Sequence, residues 1–165
     1  MSLIPPSTRA LIGQSLVEPV TVTILAREAQ RYACAVGDLN AVYFDEQAAR
    51  SAGYRTLVAP PTYITHARVQ PRPLDQLRED GLYYFEDGVV LDVERMMFGG
   101  EEWDFLDPVC VGDVITADTR LSALDEKTGS KGSFVRVERE TTFTRIEDDG
   151  TETVVARSRQ IGIAR

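Results

Sequence analysis

The sequence predicts an α+β domain in which an antiparallel sheet is covered on one face by a helix-rich front half. Three observations predict it. Apolar residues recur at helical spacing in the first part of the chain and with period two from Val89 onward. Turn signals cut the second part into successive strands. The alternating strands carry one apolar face, which the front half must cover.

The elements follow in order. Residues 18–23 read as a short strand, with Val20 and Val22 alternating with Thr21 and Thr23. Residues 25–36 have helical spacing: Ile24, Ala29, Tyr32, Ala33 and Val36 share one side, and Gly37 stops the helix as a C-terminal cap. Residues 38–44 are irregular. Asp45 reads as the N-cap of a helix over residues 46–52, closed by Gly53. Pro60-Pro61 suits a helix start, because a proline at the first position lacks only an N–H that would be unpaired anyway. Residues 62–69 then read as a buried helix that the Pro71-Arg72-Pro73 segment ends. Residues 70–87 read as a polar connection with a short helical turn at 74–78.

Five strands are expected beyond it, over residues 89–95, 101–106, 114–124, 133–146 and 153–163. Asp149-Gly150 marks a two-residue hairpin turn, since Asp-Gly tolerates positive φ.

Composition narrows the function. At 165 residues the chain is expected to form a single domain over residues 1–165. Its 43% apolar and 27% charged residues suit a folded core. A net charge of −8 repels phosphate backbones, so no nucleic acid is expected as partner. No basic run or long apolar window points to a membrane, and the N-terminus lacks a signal-peptide pattern. A cytoplasmic location is expected. Cys34 and Cys110 read as small buried side chains rather than a disulfide. No cluster of metal-ligand spacing appears, and no metal is expected.

The stretch Gly37-Asp38-Leu39-Asn40-Ala41-Val42-Tyr43-Phe44-Asp45 resembles the signature loop of MaoC-like (R)-specific enoyl-CoA hydratases and dehydratases, which runs Gly-Asp-x-Asn-Pro-(Ile/Leu)-His-x-Asp. The resemblance continues in residues 48–54, in Leu57-Val58-Ala59, in Gly99-Gly100-Glu101-Glu102-Trp103 and in residues 108–113. It is closest to the N-terminal, dehydratase-type half of two-part members. It implies a hot-dog fold, an antiparallel sheet wrapped around a long central helix. It also implies hydration of a trans-2-enoyl thioester to a (3R)-3-hydroxyacyl thioester, or the reverse, with no cofactor beyond the acyl-CoA or acyl-carrier-protein thioester. Carried over position by position, Asp38 and Tyr43 occupy the reacting positions. Asn40, Pro61, Thr62, Gly99 and Gly100 fall on the substrate-binding ones.

Two positions depart from that pattern. Tyr43 stands where the family has histidine. A phenol titrates near ~10 against ~6.5 for imidazole, so it donates a hydrogen bond at neutral pH but is a poor general base. Pro60-Pro61 stands where active members often have His-Gly, whose N–H polarises the thioester oxygen. Proline has no N–H, and losing one such donor costs ~3 kcal/mol of transition-state stabilisation. Thr62 can supply a donor one residue later. The departures suggest a chain that shapes the acyl site while a second hot-dog subunit carries the Asp–His pair, as in mycobacterial (3R)-hydroxyacyl dehydratases.

Plainer readings stand beside these. Asp38 and Asn40 also suit a turn, and Tyr43 a packed aromatic. His66, the only histidine, reads as structural. Met96, Met97 and Phe98 suit core packing or an acyl tunnel, and Arg50, Arg55 and Arg68 read as solvated surface. An active homodimer using Asp38, a non-enzymatic acyl-CoA-binding protein and a thioesterase remain alternatives on the same fold. Edge strands left open by a single sheet predict a homodimer or a heteromer.

Overall fold

The computed structural model describes residues 2–69, 73–77, 87–93, 95–130 and 132–165. Its centre is a five-stranded sheet in the order β1-β3-β4-β5-β2, with every neighbouring pair antiparallel. The strands are β1 (Val20–Thr23), β2 (Met96–Phe105), β3 (Val114–Gly129), β4 (Gly132–Ile146) and β5 (Glu152–Ala164). Among the described residues three α-helices accompany them: α1 (Pro6–Arg9), α2 (Ala26–Val36) and α3 (Glu46–Ser51). A 3₁₀ segment, Pro61–Arg68, lies between α3 and β2 in sequence. This strand order, curled over a short helical segment, is the hot-dog arrangement.

Alternation in β3 and β4 puts Ile115, Ala117, Leu121, Val135, Val137 and Phe143 on one inner face, each nearly inaccessible to water. Two clusters cover that face. At one end Ile24, Ala29 of α2 and Tyr63, Ile64 and Ala67 of the 3₁₀ segment pack on Ile115, Ala117, Phe143 and Val155. At the other, Ile4 joins Leu121, Leu124, Val135 and Val137, with Leu11, Val89, Leu91 and Val93 packed against them.

Several expectations need correcting. The helix expected at 62–69 is a 3₁₀ segment of eight residues, not a long α-helix. Its β-branched Thr62, Ile64 and Thr65 favour α-helix weakly. Three residues per turn align Pro61, Ile64 and Ala67. Residues 89–93 form no strand. Their period-two pattern is real, since Val89, Leu91 and Val93 pack inward. Their neighbours are the N-terminal segment, through Asp92 N–H to Leu3 O (3.0 Å) and Thr8 Oγ1 to Val90 O (2.6 Å). Period two reports one buried face, not a ladder partner. The strand expected at 101–106 starts earlier, at Met96, and carries a bulge between Phe98 and Gly100. The N-terminal residues, where the sequence pattern predicts no element, bury Ile4 and Thr8 and form α1 over Pro6–Arg9. Pro6 at the first helical position was the available signal.

The Asp-Gly hairpin is a three-residue loop rather than a two-residue one. Glu147 N–H bonds to Thr151 O (2.9 Å), and only Gly150, at φ 82°, has positive φ. Cys110 is buried, but Cys34 is exposed on α2. The expected connection at 70–87 falls largely on residues outside those described; Leu74–Gln76 is a 3₁₀ turn.

Candidate functional site

A cleft of about 250 Å³ opens between the loop after α2, the start of the 3₁₀ segment and the end of β2. Tyr43, Val58, Ile64, Phe105 and Ala156 form much of its wall, and Asn40, Tyr54 and Asp107 bring polar atoms to it.

Local rules build the loop. Gly37 adopts the left-handed conformation at φ 75°. Its N–H bonds to Cys34 O (3.2 Å), and the Asp38 N–H reaches back to Ala33 O (3.0 Å). These two bonds are the Schellman closure of a helix, and they fix where Asp38 leaves α2. Asn40 Oδ1 accepts the Val42 N–H at 3.2 Å and starts the tight turn Ala41–Tyr43. That engages its carbonyl oxygen and leaves the side-chain amide N–H groups to offer a ligand. Gln30 Nε2 of α2 donates to Tyr43 O at 3.1 Å, and Val58 N–H donates to Val42 O at 3.1 Å. Asp45 Oδ1 then caps α3 through the N–H groups of Gln47 (2.7 Å) and Ala48 (3.3 Å).

Within this frame Tyr43 is buried, and its hydroxyl donates to Asp38 Oδ2 at 3.1 Å. Burial, then the hydrogen bond and charge of Asp38, push the phenol up to about 12. It therefore stays protonated across the physiological range. A hydroxyl committed to a carboxylate is a fixed donor, not a proton acceptor.

Of the residues singled out in the sequence, Asn40, Tyr43 and Pro61 line the cleft. Asp38 stands behind Tyr43 through the hydrogen bond. Thr62 is exposed, and its Oγ1 lies 2.8 Å from the Tyr32 hydroxyl that donates to it. Gly99 and Gly100 are not part of the wall; they form the β2 bulge. A Cβ on Gly99 would lie 3.1 Å from Ile161 O, so close strand approach accounts for that glycine. Met96, Met97 and Phe98 are exposed along β2 and do not line the cleft.

Tyr54, Phe105 and Ala156 belong to the wall and were not anticipated as site residues. Tyr54 had a signal, since it closes the motif around α3. Ala156 had none, because an alanine in an alternating strand looks like any core position. The wall at residues 106–109 is braced from outside. Arg145 pairs with Asp107 (2.8 Å) and Glu147 (2.7 Å) and donates to Pro108 O at 3.3 Å. Asp113 accepts the Cys110 N–H at 2.7 Å and pairs with Arg55.

His66 lies away from the cleft, stacked on Tyr63 with ring centres 5.0 Å apart. Its Nδ1 lies 3.0 Å from Tyr63 O; the carbonyl can only accept, so Nδ1 carries the proton. The Tyr63 hydroxyl donates to Glu28 Oε2 at 3.2 Å, and burial with that bond raises its pKa to about 12. Among the described residues no three His, Cys, Asp or Glu side chains come together to hold a metal ion. No described helix is long and apolar enough to cross a membrane.

Comparison with known proteins places the family and the fold. Residues 10–151 match the family model of the FAS1-like dehydratase domain region. A UPF0336 protein of Leifsonia xyli is 35% identical over 120 residues, 72% of this chain and 74% of that one. The ChsH1–ChsH2 complex of Mycobacterium tuberculosis superimposes with a TM-score of 0.70 at 15% identity, over 95% of this chain and 92% of the other. The C-terminally truncated HadBC (3R-hydroxyacyl-ACP dehydratase) complex of the same organism gives 0.62 at 23% identity, over 87% and 89%. At these identities the two structures show the fold.

Proposed function

The chain belongs to the FAS1-like dehydratase domain family, and from that premise we propose that it is the acyl-thioester-binding subunit of a two-chain enoyl-thioester hydratase/dehydratase. The observation that carries the proposal is the Tyr43–Asp38 hydrogen bond at the family's reacting positions. Hydration joins a water oxygen to C3 of the enoyl thioester, takes a proton from that water and delivers one to C2. A base must accept the first proton. Tyr43, with a pKa near 12, holds its own proton and points it at Asp38. Pro60 and Pro61 withhold the N–H that would polarise the thioester carbonyl.

What remains is a binding site. The cleft offers apolar walls for an acyl group and the Asn40 amide for its polar end. A second hot-dog chain would bring the Asp–His pair. Two observations support such a partner. The edge strand β2 leaves Met96, Met97, Phe98 and Phe105 exposed, and Leu106 just beyond its end is exposed too. Both structural neighbours described above are complexes of two named components.

The test follows the conjugated-thioester absorbance of crotonyl-CoA. The purified chain alone should leave it nearly unchanged, and addition of a partner carrying an intact Asp–His loop should consume it. Rapid hydration by the chain alone would overturn the proposal.

A further inference from the structure

Behind the lining residues Phe105, Ala156 and Ile64 lies a packed cluster that draws on three elements at once. On β2, Phe105 lines the cleft, while Trp103 and Glu101 follow on the same inner face. On β5, Ala156 lines it, and the buried Ser158 comes next inward. On the 3₁₀ segment, Ile64 lines it, and Arg68 follows four residues further on, at the end of the segment. These inner residues touch one another. Trp103 stacks on Phe105 (5.4 Å between ring centres) and on Phe143 (5.3 Å). The Arg68 guanidinium lies 5.7 Å over the Trp103 ring. Its Nη1 pairs with Glu101 Oε1 at 2.7 Å and donates to Ser158 Oγ at 3.3 Å. Arg68 is thus not a solvated surface residue.

Resting on the thioester reading above, we propose that this aromatic and ion-paired plug limits the site to short acyl groups, ending at about a hexanoyl to octanoyl chain. An apolar chain running further along the inner face would have to displace a stacked tryptophan and desolvate the mostly buried Arg68–Glu101 pair. Breaking such a pair is strongly unfavourable. The volume agrees. An apolar cavity of about 150 Å³ accepts benzene, with its six carbons. By that measure about 250 Å³ holds roughly ten non-hydrogen atoms. The thioester carbon, oxygen and sulfur take three of them. Trp103 is therefore a specificity-determining residue.

The experiment is a calorimetric titration of the full chain, alone and with its partner, with butyryl-, hexanoyl-, octanoyl-, decanoyl- and dodecanoyl-CoA. Affinity should rise by roughly three- to fourfold per added methylene up to the plug. It should then stay level or fall from octanoyl onward. Trp103→Ala should move that break to decanoyl or longer. Affinity that keeps rising through dodecanoyl-CoA in the wild type would overturn the length limit while leaving the thioester reading intact. So would a Trp103→Ala profile identical to that of the wild type. If Trp103→Ala does not fold, the wild-type series alone decides. Absence of binding at every length, with and without the partner, would overturn the thioester reading and this inference with it.

Discussion

At the scale of single residues, the proposed function turns on one hydroxyl. Tyr43 stands where the loop it resembles has histidine, and its hydroxyl is held as a donor to Asp38. Tyr43→His should replace the locked donor with an imidazole beside Asp38. The chain alone should then hydrate crotonyl-CoA about ten- to a hundredfold faster than wild type, below the full effect of a general base because Pro60-Pro61 still lacks the oxyanion donor. An unchanged rate would mean that this position does not face the reacting water. The same hydrogen bond has an alkaline signature. Tyr43 and Tyr63 are both raised from 10.0 to about 12, so the folded chain holds their protons more tightly than the unfolded chain does. The stability they add is complete below about pH 10 and is lost as pH rises from about 10 to about 12. Phenolate absorbance should therefore show a late component that Tyr43→Phe and Tyr63→Phe each reduce; variant curves identical to wild type would contradict it. The replacement at position 43 was legible in the sequence, because the surrounding motif supplied a register. The Tyr63–Glu28 contact was not, since it joins residues 35 positions apart and depends on how the 3₁₀ segment packs on α2.

At the scale of elements, the loop that presents Asp38 and Tyr43 is set by the end of α2 and the start of α3. Gly37→Ala forces a side chain into the left-handed conformation and should cost about 1 kcal/mol in urea denaturation. Asp45→Ala removes the acceptor of two N–H groups and should cost about 1 kcal/mol as well. Effects within error of zero would mean that the loop is fixed by its contacts with residues 57–59 instead. Both caps were read correctly from sequence, because capping depends on residues a few positions apart. Residues 89–93 were misread for the opposite reason. Their alternation records burial against the cluster around Ile4, Leu121 and Val135, and only the tertiary arrangement reveals that they join no strand pairing among the described residues. The 3₁₀ form of residues 61–68 was also hidden, because buried apolar positions at i and i+3 serve both helix types.

At the scale of the whole molecule, the inner face of β3 and β4 follows from an alternation that was plain in the sequence, whereas nothing in it placed β2 beside β5. The cleft was not plain there either, because its walls come from the α2 loop, the 3₁₀ segment, β2 and β5, which meet only in the fold. One hot-dog sheet with an apolar edge and a hydroxyl donor locked onto Asp38 is half of a working hydratase on this account. The most direct measurement is the initial rate of crotonyl-CoA hydration by the purified chain, taken alone and after titration with a second hot-dog chain that retains the Asp–His loop. The account predicts a near-background rate alone and a rate that saturates at one partner per chain. Full activity from the chain alone, unaffected by the partner, would contradict it.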